Sequence, residues 1–191
     1  MKMYGTNGPI DKKINIRFSG FGGQGIVLAG YTFGTAAAMD GNNVLQTQSY
    51  GSEARGGLCR SDVIIAKEEI FDLAPPRFDV LVTFSQPAYD NYIQGLQEDG
   101  TLMVDDDLVD MGNHYHPRTF KIKATDIAYK KFGRKIMANM VMMGFMCTTL
   151  EVISKEALKQ SILDNVARGT EKINLQAFEE GYQLGNGKSL S

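Results

Sequence analysis

The chain has 191 residues, 43% hydrophobic and 22% charged, the proportions of an ordinary globular protein. At this length folding removes roughly 70% of the unfolded surface from water, so a core can stand without staples. The 20 basic and 22 acidic residues leave a net charge of -2, without the basic excess of a duplex-binding surface, so nucleic acid is not an expected partner.

After a polar arm, Met1 to Pro9, the run Ile14 to Ser19 alternates apolar and polar and predicts a strand. Gly20-Phe21-Gly22-Gly23-Gln24-Gly25 follows, and Ile26, Ala29, Gly30, Phe33 and Ala37 then recur at helical spacing up to Met39, with Asp40-Gly41-Asn42 as the stop. Further strands are predicted over Asn43 to Thr47, Cys59 to Ala66 and Phe78 to Phe84, where β-branched residues cluster. Ser85-Gln86-Pro87 can open a helix reaching Leu96, and Asp99-Gly100 turns the chain into a short strand, Thr101 to Val104. A strand over Tyr115 to Ile122 precedes a helix capped by Thr125 or Asp126 and ending at Phe132. Ala138 to Leu150 is apolar all round, Ser154 to Val166 is an amphipathic helix with a capping serine, and Asn174 to Tyr182 completes the set. Gly185 to Ser191 reads as a frayed tail, and no repeat or interdomain linker interrupts residues 14–182, so one domain is expected.

Alternating strands and helices predict an α/β fold, an open doubly wound, mostly parallel, Rossmann-like sheet with helices on both faces. In that architecture ligands sit at the carboxyl ends of the strands, where the loops after Phe18, Thr47, Phe84 and Val104 emerge. The most apolar stretch, Met137 to Leu150, is shorter than the ~20 residues of a membrane span. Met1 to Lys13 lacks the apolar centre of a signal peptide, so a cytoplasmic location is expected.

Gly20, Gly22 and Gly25 form G-x-G-x-x-G between a predicted strand and helix. Their usual roles are the tight turn, backbone approach to a ligand, and close helix packing, in that order. The unpaired N–H groups of the helix start then favour an anion. A tight turn without a ligand would use the same glycines. An acidic residue to hold the ribose of a dinucleotide is missing, because Gln46, Thr47 and Gln48 occupy the end of the second strand. A lysine of a Walker loop is missing too. The second loop, Gln48 to Gly57, carries Ser52, Glu53, Arg55 and Gly56: Arg55 can clamp an anion with two N–H groups, and Glu53 can orient it, or the pair is a surface turn.

Together with Phe84-Ser85-Gln86-Pro87-Ala88-Tyr89 and Ala138-Asn139-Met140, the two glycine motifs resemble the gamma subunit, or gamma domain, of 2-oxoacid:ferredoxin oxidoreductases, over about residues 14–165. The resemblance is strongest to the 2-oxoglutarate type with separate subunits. It implies one component of a complex that decarboxylates a 2-oxoacid on thiamine diphosphate, passes electrons through iron-sulfur clusters to ferredoxin or a similar acceptor, and forms acyl-coenzyme A. Partner alpha, beta and ferredoxin-like delta subunits would carry thiamine diphosphate, Mg and the 4Fe-4S clusters, this chain would hold none of them, and alone it would be inactive or a homo-oligomer. Gly20, Gly22, Gly23, Gln24, Gly25, Ser52, Glu53, Arg55, Gly56 and Gln86 would then form one wall of the active cleft, near coenzyme A or the acyl group.

Other features carry plainer readings. Asp105-Asp106-Asp107 is read as a solvated turn before a magnesium site, and His114-x-His116 as a pair lacking further ligands. Cys59 and Cys147 read as core residues. Met137, Met140, Met142, Met143 and Met146 fill either a core or a subunit contact, and Gln86 and Asn139 either cap helices or touch a ligand. The rival functions are an independent NAD-type oxidoreductase and a non-enzymatic nucleotide- or acyl-coenzyme A-binding regulator.

Overall fold

Alternation in the first strand places Ile14, Ile16 and Phe18 on one buried face. On the other face Arg17 donates to Asp62 at 2.6 and 2.8 Å and lies 4.6 Å from the Phe78 ring centre and 4.9 Å from that of Tyr92. Both faces are therefore covered. The structure, a computed structural model, describes residues 10–50, 57–73, 76–113 and 115–187. The glycines at 51 and 56 bound one segment outside this set, and so do the arm before Ile10 and the residues after Gly187.

In chain order the elements are β1 (Ile14–Phe21), α1 (Ile26–Met39), β2 (Asn43–Tyr50), β3 (Leu58–Ala66), β4 (Phe78–Thr83), α2 (Gln86–Tyr92), β5 (Leu96–Asp105), β6 (Thr119–Ile122), α3 (Ala124–Phe132), α4 (Ala138–Leu150), α5 (Lys155–Asn165) and α6 (Glu171–Asn186). The sheet order is β2-β3-β1-β4-β5-β6. β1, β4, β5 and β6 pair in parallel, while β3 runs antiparallel to both β1 and β2. Every strand but β3 thus points one way, and the sheet is mostly parallel as expected. Residues 51–57 are too few for a crossover helix, which is why β3 returns antiparallel. One face carries α1 and the α4–α6 group over Phe18, Val80 and Met103; the other carries α2 over Leu81, Leu102 and Val104.

The all-apolar helix α4 is buried within this chain, so its methionines are core and need no partner to cover them. Its cover is α6, which approaches so closely that a Cβ on Gly144 would overlap the Phe178 carbonyl, and one on Gly181 the Val141 carbonyl. That contact also explains why α6 continues through Gly185, where a frayed tail was expected: Gly185 packs on Thr148. Asp40, at the end of α1, accepts from the Ser154 backbone N–H and hydroxyl at 2.6 and 2.7 Å. The same hydroxyl accepts from Ala157 N at 3.1 Å, so the expected serine cap of α5 is present.

Other boundaries and caps also differ from the sequence reading. Helix α2 ends at Tyr92, and a 3-10 turn, Ile93–Gly95, leads straight into β5, with Gly95 against the Phe78 ring. Asp99-Gly100 does not turn the chain; it lies inside β5 where the register with β4 shifts between the Phe78 and Val80 pairs, an irregularity the strand absorbs. Neither Thr125 nor Asp126 caps α3, whose cap position is Lys123; carboxylates from the preceding loop do so instead.

Because the obstruction at Gly181 is backbone rather than a side chain that could turn aside, Gly181→Ala should force α6 off α4. The overpacking cost of roughly 1–3 kcal/mol exceeds the gain in helix propensity. Differential scanning calorimetry should show Tm lowered by about 2–8 °C, from the ~1–2 kcal/mol left after that gain is subtracted; an unchanged or raised Tm would disprove the close contact.

Candidate functional site

The glycine loop sits where β1 feeds α1, and the side chain of Gln24 organises it. Its Oε1 accepts from Phe21 N at 2.6 Å and its Nε2 donates to the Phe84 carbonyl at 2.8 Å, joining the carboxyl ends of β1 and β4. Gly20 is confined by this arrangement: a Cβ there would stand 2.5 Å from Gln24 Oε1 and 2.8 Å from Ile26 Cδ1. Close strand-to-helix packing therefore falls to Gly20, not to Gly25. Gly25 takes the left-handed conformation (φ +74) at the start of α1, and a Cβ on it would overlap the Asn139 amide. Gly22 donates to the Gly57 carbonyl at 3.1 Å. No described side chain caps α1, so its first N–H groups carry the positive end of the helix dipole without a local carboxylate.

Ser52, Glu53, Arg55 and Gly56 lie outside the described residues. Their flanks are fixed: Cys59 pairs with both Gly20 and Tyr50, and Gly57 bonds to Gly22. The two glycine motifs thus meet at one edge of the sheet.

A cleft of about 250 Å3 opens at this edge, lined by Gly23, Gln24, Phe84, Leu108, Thr125, Lys135, Ile136 and Ala138. It lies outside the carboxyl ends of β1 and β4, where the chain proceeds from β1 to one side of the sheet and from β4 to the other. Such a switch point is where open α/β sheets bind ligands. Leu108 and Ile136 give it apolar walls; Lys135, in the 3-10 turn Lys135–Met137 leading into α4, gives it a cation. No described side chain caps that turn either.

Of the three aspartates, Asp106 and Asp107 lie in the expected solvent-facing turn, but Asp105, the last residue of β5, does not. Asp105 is fully buried, accepting the Thr125 hydroxyl at 2.6 Å on Oδ2 and the N–H groups of Thr125 and Asp107 at 3.4 Å on Oδ1. Asp107 accepts from Asp126 N at 2.7 Å, and Asp106 pairs with Lys121 at 3.4 Å. Asp105 and Asp107 therefore cap α3 from outside it. Burial raises the pKa of Asp105, against the lowering effect of its hydrogen bonds from Thr125 and Asp107. Among the described residues no group of three or more His, Cys, Asp or Glu side chains could hold a metal ion.

Of the remaining candidates, Gln86 is not among the described residues lining the cleft; its Oε1 accepts from Asp110 N at 2.7 Å and its Nε2 donates to Asp90 at 2.9 Å. Ser85 is the cap of α2, accepting from Ala88 N at 3.4 Å. Asn139, 2% exposed, donates to the Gly25 carbonyl at 3.4 Å and supports the loop from behind. His116 Nε2 lies 3.1 Å from the Gln97 carbonyl, and His114 lies outside the described residues. Both cysteines are buried, and burial raises both thiols, Cys147 to about 12, so they stay protonated core residues. Thr125, Leu108, Lys135 and Ile136 were not singled out as site residues from sequence. Lys135 did carry a signal, because a cation in the first turn opposes the helix dipole and such local conflicts cluster at functional sites.

A mostly parallel open sheet with a partly cationic cleft at its switch point defines a ligand-binding α/β protein. The family described as pyruvate ferredoxin/flavodoxin oxidoreductase matches residues 15–184. The chain belongs to that family, and within it to the gamma-type subunits of 2-oxoacid:ferredoxin oxidoreductases, as the paired glycine motifs imply. It is 45% identical over 172 residues to the 2-oxoglutarate synthase subunit KorC of Methanocaldococcus jannaschii, covering 88% of this chain and 92% of that one. The crystal structure of a keto/oxoacid ferredoxin oxidoreductase gamma subunit from Geobacter sulfurreducens matches with a TM-score of 0.77 and 37% identity, over 92% of this chain and 99% of that one. The fold also recurs, at a TM-score of 0.83 and 24% identity, in a 2-oxoglutarate:ferredoxin oxidoreductase from Magnetococcus marinus solved with 2-oxoglutarate, coenzyme A and succinyl-CoA bound. That match covers 95% of this chain and 32% of that one.

A carboxyl whose folded pKa is raised contributes stability that is complete below the ordinary carboxyl range and lost as pH rises through the folded value. Asp105→Asn cannot ionise and escapes that loss. The Tm of this variant minus that of the wild type should therefore grow as pH rises from about 4 towards neutrality; a difference that stays flat or shrinks would refute the burial cost.

Proposed function

We propose that this chain serves a complex that converts 2-oxoglutarate and coenzyme A to succinyl-coenzyme A and CO2, and that its cleft receives the thiol-bearing end of coenzyme A. The observation that carries the reading is the cleft itself, a concave space between two helix starts that no described side chain caps, with Lys135 at its side. Its volume of about 250 Å3 lies below the usual range for a whole drug-sized ligand, so it suits the end of a long one. Gly23 and Gln24 of the glycine loop form one wall, Leu108 and Ile136 exclude water from the arm, and Lys135 donates a charge-assisted hydrogen bond to an amide carbonyl of the arm. Thiamine diphosphate with its Mg, and the 4Fe-4S clusters, belong on the alpha, beta and ferredoxin-like delta partners, where they supply decarboxylation and carry electrons to ferredoxin.

An independent NAD-type enzyme is disfavoured by the topology as well as by the missing acid. In a dinucleotide fold the ribose is held from the strand beside β1, whereas here the reversed β3 occupies that place and displaces β2 to the sheet edge. In the assembled complex Lys135→Ala and Arg55→Ala should each raise the KM for coenzyme A by about three- to tenfold, the loss of one charge-assisted contact, while leaving the KM for the 2-oxoacid in place. Steady-state kinetics with each substrate varied in turn checks this. An unchanged KM for coenzyme A in both variants would remove the cleft from coenzyme A binding.

A further inference from the structure

We propose that Thr125 is the hydrogen-bond acceptor for the ligand in the cleft, with Asp105 as the positioning residue that holds it in that role. This rests on the reading that the cleft takes the coenzyme A arm. Asp105 has no exposed surface, and its two oxygens are used differently: Oδ1 takes the Thr125 and Asp107 backbone N–H groups, both at 3.4 Å, and Oδ2 takes the Thr125 hydroxyl at 2.6 Å. The Thr125 hydroxyl donates to Oδ2, so its oxygen keeps lone pairs for the cleft whose wall it helps form.

Lys135 and the start of α1 only donate, and the Gln24 and Phe84 carbonyl oxygens each already accept one hydrogen bond, whereas no described group donates to the Thr125 hydroxyl oxygen. The site is therefore two-sided: an anion is welcome at Lys135 and α1, and a neutral donor is required at Thr125. A coenzyme A arm offers such donors, the amide N–H and the thiol S–H, and a second carboxylate or phosphate driven against Thr125 would meet lone pairs.

The test uses the assembled complex. Thr125→Val, which keeps shape and removes the acceptor, should raise the KM for coenzyme A by about two- to tenfold, with the change in KM rather than kcat, and Thr125→Ser should restore it. In Asp105→Asn the amide oxygen keeps the two backbone N–H groups, so the NH2 faces Thr125 and turns its hydroxyl towards the cleft as a donor. That variant should match Thr125→Val, and the double variant should be no worse than either, the non-additivity expected of residues acting as one unit. With S-methyl coenzyme A, which cannot be acylated and is read as a competitive inhibitor, a penalty that persists in its inhibition constant assigns the donor to an amide and a vanished one to the thiol; either supports the proposal. Wild-type KM in Thr125→Val, failure of serine to rescue, or additive losses would overturn it. If Lys135→Ala still raises the KM for coenzyme A, this inference alone falls; if neither variant moves it, the reading of the cleft falls as well.

Discussion

The side chain of Gln24 joins two pieces of backbone, one in the glycine loop and one at the end of the neighbouring strand. By accepting from Phe21 and donating to Phe84 it fixes the glycine loop against the end of the neighbouring parallel strand, across the point where the sheet changes winding direction. Only a group with a donor and an acceptor on the same carbon does this; a carboxylate would face the Phe84 carbonyl with a second acceptor. The glycine at 20 is a consequence, since the amide lies where a side chain would be. With Gln24 so employed, the start of α1 is left to whatever occupies the cleft.

The loop is held from behind by the core. Asn139, in the first turn of α4, reaches the Gly25 carbonyl, and the position of α4 is set by backbone-to-backbone contact with α6 at Gly144 and Gly181. Contacts of this kind have no soft side chains to absorb a shift, so interior packing transmits displacement rather than damping it. The buried methionines around that contact supply volume; the glycines supply the register. Ala138, one residue before Asn139, is itself part of the cleft wall, so the geometry of the site is tied to a helix pair of which α4 is almost wholly buried.

Much of this was legible in the residues. The alternation of Ile14, Ile16 and Phe18 and the apolar run from Ala138 to Leu150 gave the right elements because burial on one face, or on all, leaves a periodic trace. Two features left no local trace. The reversal of β3 depends on the brevity of 51–57 and on pairing across the sheet, both of which override the expectation of a crossover. The capping of α3 comes from Asp105 and Asp107, about twenty residues upstream, and a long-range cap is invisible to a reading that looks for the cap beside the helix. That same distance hid the cleft: Leu108, Thr125 and Lys135 belong to segments that the sheet order alone brings beside Gly23.

The division of chemical labour follows from what these segments offer. Both thiols are buried and protonated, and the carboxylates nearest the cleft are spent on capping a helix, so the described residues present hydrogen-bond donors, neutral acceptors and apolar walls rather than a nucleophile. Such a surface can orient a flexible arm and strip water from it. Orientation is worth more to a reaction than a further polar contact, because it removes the entropy of bringing two partners together before any bond changes. A chain that does this for a centre carried elsewhere needs rigidity at the rim of its cleft, which is what the Gln24 bonds and the glycine contacts of α4 and α6 provide.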